Sequence, residues 1–108
     1  MPIVALRAVS GDPFPMKIQK LTDAVAMGQA ASAQGAKVLR DVLAKKGRAN
    51  VIVATGASQF ETLKCLIKEP GIDWSKITVF HLDEYVGISE SHGASFRKYL
   101  RERFISQL

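Results

Sequence analysis

Two short apolar runs constrain this chain more than any other feature. Asn50-Val51-Ile52-Val53-Ala54 is continuous and β-branched, and the stretch from Lys76 to Leu82 is a second run of the same kind. Each ends abruptly in small or polar residues: Thr55-Gly56-Ala57-Ser58 after the first, Asp83-Glu84-Tyr85 after the second. A continuous β-branched run suits a strand buried on both faces. Between the runs, Gln59 to Lys68 reads as a helix that Pro70-Gly71 ends. Ser58 and Glu61 have capping-box spacing, which starts the helix there. The expected unit is β(51–55)–α(59–69)–β(77–82), a right-handed crossover between parallel strands. Parallel strands bring the 55–58 and 83–87 loops to one sheet edge. Ligands bind beyond the carboxyl ends of strands in open α/β folds.

The flanking segments fit around that unit. Leu21, Val25, Ser32, Ala36, Leu39 and Leu43 recur at helical spacing, so a helix is expected from Thr22 to about Lys46. Thr22 is the expected N-cap, with Asp23 in the first turn. Lys45-Lys46-Gly47 is a sound stop. The alanines and two glycines of this helix point to close packing on another element. Residues 1–16 hold three of the four prolines, so an extended N-terminal arm is expected, with Ile3–Leu6 able to add an edge strand. A last helix is expected over Ala94–Phe104, with His92 capping or preceding it. Phe96, Tyr99, Leu100 and Phe104 would turn inward, leaving Arg97, Lys98, Arg101 and Arg103 on a solvated face.

A chain of 108 residues is one small domain with a core, here residues 17–108. The net charge of +5 is mostly scattered, so no nucleic-acid partner is expected. No apolar run has the length of a membrane span, so no membrane partner is expected. Cys65 is alone, which fits a reducing cytoplasm, and in its helix it reads as a small core hydrophobe. His81, His92 and Cys65 lack metal-ligand spacing, so no metal is expected.

Two constellations can carry chemistry. The small-residue turn Thr55-Gly56-Ala57-Ser58 enters a helix, where free N–H groups and the positive dipole end can hold a phosphate. Read from spacing alone, it serves equally as a tight turn with an N-cap. Asp83 and Glu84 end a strand. A carboxylate there, partly withdrawn from water, can work as a general base. Only one of the two should face the site, because adjacent residues point to opposite sides of an extended chain. The bland alternative is a solvated acid pair. His81, two residues before Asp83, either lines the site or is a satisfied core histidine.

Taken together, Val51 to Gln59, Leu82-Asp83-Glu84-Tyr85-Val86-Gly87 and Ser91-His92-Gly93-Ala94-Ser95-Phe96 resemble the N-terminal part of glucosamine-6-phosphate deaminases/isomerases, over residues 20–108. The same superfamily includes 6-phosphogluconolactonases, which typically carry D-E-R where this chain has Asp83-Glu84-Tyr85. Tyr85 and Gly87 therefore favour the deaminase branch. The resemblance implies a Rossmann-like, three-layer α/β fold of which this chain is an incomplete piece, and a cytoplasmic enzyme that uses no cofactor. It implies Asp83 as the base that moves a proton from C2 to C1 of a phosphorylated amino sugar. Thr55, Gly56, Ala57 and Ser58 would hold the substrate, with His81, Glu84 and Tyr85 lining the site, and a homo-oligomer is compatible with it. There are departures. The family loop usually reads T-G-G-[TS]-P, against Ala57 and Gln59 here, and His81 stands where asparagine is common. The family's later G-x-G-x-D-G-H-type motif, with its acid and ring-opening histidine, and its phosphate-clamping lysine and arginine have no match in these residues. Little turnover by the chain alone is expected. The alternatives are a lactonase and a non-catalytic sugar-phosphate binding module.

Overall fold

The structure is a computed structural model that describes residues 3–6 and 17–108. Ile3–Leu6 (β1) pairs antiparallel with Lys17–Lys20 (β2), so the early apolar run does form an edge strand, in a two-stranded ribbon of its own. The rest of the arm lies outside the described residues.

Ala24–Lys46 forms α1. Its N-cap is Asp23, not Thr22: the Asp23 backbone is extended and its Oδ1 accepts from the Ala26 N–H at 2.8 Å. The carboxylate wins because it reaches the free first-turn donors from one residue nearer the helix. Gly47 ends α1 at φ +71°, donating to the Leu43 carbonyl at 2.9 Å, with Lys45 and Lys46 in the last turn. Gly28, Ser32, Ala36 and Leu39 form the buried stripe. Gly28 is needed for proximity: a Cβ there would lie 2.8 Å from the Glu61 backbone of the next helix. Gly35 has no such neighbour. Close packing therefore explains one of the two glycines.

Ala49–Val53 (β3) pairs parallel with Ile77–His81 (β4), with Val51 opposite Val79 and Val53 opposite His81. The Leu82 N–H extends the ladder to the Val53 carbonyl at 2.8 Å. Between the strands, a 3-10 turn over Ala57–Gln59 leads into Phe60–Leu66 (α2). The expected capping box is absent, since no side chain caps either element. Ser58 sits inside the 3-10 turn rather than ahead of the helix, and Glu61 pairs instead with Lys64 at 3.7 Å. The helix also stops at Leu66, short of Pro70. Phe96–Arg103 forms α3, N-capped by Ser95, whose Oγ accepts from the Lys98 N–H.

One core joins the three helices to one face of the β3–β4 pair. Ala36, Val53, Leu63, Leu66, Leu100 and Phe104 are its buried members, with Val51, Val79 and Trp74 against them. Trp74 meets Phe104 edge-on at 5.4 Å. The opposite face is open: Ile52, Phe80 and Leu82 are 65%, 50% and 69% exposed. The expectation of a strand buried on both faces is not met for β3 among the described residues.

Candidate functional site

Because β3 and β4 are parallel and in register, Thr55 and Asp83 leave the sheet at the same edge. The two loops are joined physically. Thr55 Oγ1 lies 2.8 Å from His81 Nε2, and both groups are buried, Thr55 to 8% and the His81 side chain to 6% exposure. The other ring nitrogen, Nδ1, faces the Asp83 carbonyl and N–H and lies 3.3 Å from Asp83 Oδ1. The ring also stacks on Phe96 at 4.5 Å, and Phe96 stacks on Tyr85 at 5.5 Å. Strand, both loops and α3 therefore meet at one imidazole.

Gly56 keeps a negative φ and its C=O accepts from the Gln59 N–H at 2.8 Å, which closes the turn. Ala57 and Ser58 are exposed. Their backbone N–H groups face no protein acceptor among the described residues, leaving two donors for an anion beside the Thr55 hydroxyl.

The two neighbouring carboxylates have separate surroundings. The Asp83 side chain is 71% exposed, so the expected partial withdrawal from water is not met among the described residues. Glu84 turns to α3. Its Oε1 accepts from the N–H groups of Tyr85 and Phe96, each at 3.1 Å. Its Oε2 accepts from the Ser95 hydroxyl at 2.8 Å and from the N–H and Nε of Arg97, each at 3.1 Å. Desolvation alone would raise the Glu84 pKa. The donors of Arg97, Phe96, Ser95 and Tyr85 outweigh it and bring the group from 4.5 down to about 2. Glu84 is thus a fixed anion on the N-terminus of α3, where free donors and the helix dipole favour negative charge. The signal for this was present in the sequence. Ser95 begins a helix, but the third residue after its cap begins is Lys98, so the acid of a capping box has to come from elsewhere.

Tyr85 is 57% exposed, and the loop turns at Gly87 with φ +74°, a conformation that favours glycine. His92 precedes α3, its Nδ1 accepting from the Ala94 N–H at 3.0 Å. Arg97 and Arg101 are engaged by Glu84 and Glu90, each at 3.1 Å. Cys65 is half-buried in α2. Among the described residues there is no cluster of metal-ligating side chains and no helix long and apolar enough to cross a membrane.

A parallel strand pair that presents an anion-accepting turn and a free carboxylate at one edge defines an α/β protein built to meet a small anionic ligand. Comparison with known proteins narrows this. The family described as glucosamine-6-phosphate isomerases/6-phosphogluconolactonase matches residues 22–108, and the chain belongs to it. A glucosamine-6-phosphate deaminase of Streptococcus pneumoniae (strain 70585) is 35% identical over 77 residues, covering 68% of this chain and 32% of the relative. A solved 6-phosphogluconolactonase from Shewanella baltica OS155 shares the fold at TM-score 0.71 and 22% identity, over 79% of this chain and 36% of its own. A solved monomeric glucosamine-6-phosphate deaminase matches at TM-score 0.70 and 25% identity, over 82% of this chain and 36% of its own. The α/β fold with parallel strands is that of this superfamily. The chain spans about a third of the length of these relatives.

Proposed function

We propose that the chain carries the proton-moving part of a glucosamine-6-phosphate deaminase site. The observation that supports this most is the shared sheet edge. The exposed Asp83 carboxylate and the free N–H donors of the 55–58 turn are held in one assembly by the contact between Thr55 and His81, 2.8 Å long. A phosphosugar spans such a pair, with its phosphate on the turn and its reacting carbons at the carboxylate. Asp83 removes the C2 proton of the open-chain amino sugar and returns it at C1. The aldose becomes a ketose imine, and water releases ammonia and fructose 6-phosphate. No cofactor or metal enters these steps. Thr55, Gly56, Ala57 and Ser58 hold the substrate, while Tyr85 and Gly87 favour the deaminase over the lactonase branch. Glu84 positions the loop and takes no proton. A cytoplasmic setting fits the lone Cys65.

The acid and ring-opening histidine that the resemblance requires are not among these residues, so the chain alone should turn over little, since catalytic groups that act as a unit fail together. The test is incubation of the 108-residue chain with glucosamine 6-phosphate, reading both binding and ammonia. Saturable binding with little ammonia is expected. Clear turnover that vanishes in Asp83→Asn would establish the base and overturn the expectation of inactivity. Hydrolysis of a phosphorylated sugar-acid lactone without ammonia would select the lactonase reading, which the fold shared with the Shewanella enzyme keeps relevant. Phosphosugar binding without turnover, even when the chain is joined to the missing family motif, would make it a binding module.

A further inference from the structure

We infer that His81 is the positioning residue of this site, held as the neutral tautomer with its proton on Nδ1, and that it thereby makes the Thr55 hydroxyl an acceptor toward the ligand. The assignment follows from what surrounds each nitrogen. Nδ1 has the Asp83 carbonyl oxygen at 2.5 Å and Asp83 Oδ1 at 3.3 Å, against one N–H, that of Asp83, at 3.2 Å. Two oxygens, one of them the nearest neighbour, require a proton between them and the ring. The neutral ring has only one proton, so Nε2 carries a lone pair. The Thr55 hydroxyl, 2.8 Å away, donates to it.

Thr55 has one hydroxyl proton, and His81 uses it. The oxygen then meets a ligand only through its remaining lone pair. It accepts from a sugar hydroxyl or an ammonium group, and the phosphate falls to the backbone N–H groups of Ala57 and Ser58. The turn is thereby divided into a donor end for the phosphate and an acceptor end for the sugar. The ring cannot swing to other partners, because it is buried and stacked 4.5 Å from Phe96 at an interplanar angle of 11°. Glu84 holds Phe96 in turn, through the Phe96 N–H at 3.1 Å.

The ligand half of this inference rests on the proposed phosphosugar site; the tautomer does not. The first experiment therefore reads the imidazole nitrogens of the 108-residue chain by NMR at neutral pH. A protonated-type Nδ1 and a lone-pair-type Nε2 are expected for His81, with the Nε2 resonance moving in Thr55→Val. The opposite pattern, or no response to Thr55→Val, overturns the inference whatever the chain binds. The second experiment measures glucosamine 6-phosphate affinity in His81→Phe, which keeps an aromatic ring against Phe96 and loses both hydrogen bonds. A loss of about tenfold is expected, one hydrogen bond's worth, with partial recovery in His81→Asn, whose amide can still receive the Thr55 proton. Thermal melting of each variant shows whether it is folded. A folded His81→Phe that binds as tightly as the parent overturns the inference and leaves the phosphosugar reading intact. A parent chain that binds no phosphosugar overturns that reading and the ligand half together, with the NMR result deciding the tautomer.

Discussion

Val53 and Ile52 are neighbours in β3, similar in size and shape, yet Val53 is 8% exposed and Ile52 is 65% exposed. The same contrast runs across β4, where Val79 packs on the core and Phe80, opposite Ile52, is half exposed. One face of the strand pair is closed by three helices and the other is covered by nothing among the described residues. Strand chemistry did not produce this difference, because both faces carry large apolar side chains. It depends on which elements are present to pack. An apolar parallel pair suits cover on both sides. This chain matches about a third of the length of relatives that share its fold, and its described helices supply cover on one.

The contrast can be broken by mutation. The largest effect belongs to the packed side: Phe104→Ala empties a site that is 1% exposed and faces Trp74, and should cost about 3–5 kcal/mol in chemical denaturation. A loss below about 1 kcal/mol there would mean the helices are not firmly docked. Gly28→Ala forces a methyl group to 2.8 Å from the Glu61 backbone and should cost about 1–3 kcal/mol. Gly35→Ala, on the same helix with open space around it, should instead stabilise by up to about 1 kcal/mol. Equal effects at the two glycines would refute the close α1–α2 approach.

A smaller effect on the packed side is visible in acid. The Glu84 carboxyl stands at about 2 in the folded chain against an ordinary 4.5. A depressed carboxylate contributes stability that is fully present above pH 4.5 and is lost as pH falls through about 2. Glu84→Gln should lower stability at neutral pH and flatten its decline through that window. An unchanged pH profile would remove Glu84 from the α3 N-terminus. The smallest effect is on the open side: Ile52→Thr should change stability by no more than about 0.5 kcal/mol, since little is packed there to lose. A larger loss would show that this face is covered in solution.

The parallel strand pair, the helix between its strands, the stop at Gly47 and the common edge of the two loops were all legible in the residues. They depend on local conformational preferences and on the periodicity of apolar side chains, which near neighbours in the chain decide. The helix starts were less legible. Thr22 and Asp23 are adjacent capping residues, and local preference does not separate them. The spacing of Ser58 and Glu61 fits a capping box, but the chain makes a 3-10 turn there instead. What the residues could not assign were the roles within Asp83-Glu84-Tyr85 and at His81. Glu84 is claimed by donors on Ser95, Phe96 and Arg97, and His81 by Thr55 from the neighbouring strand and by Phe96. Those partners are distant in sequence and adjacent only after packing. Hydrogen-bond geometry among them determines which carboxylate is bound to a helix and which stays free at the sheet edge.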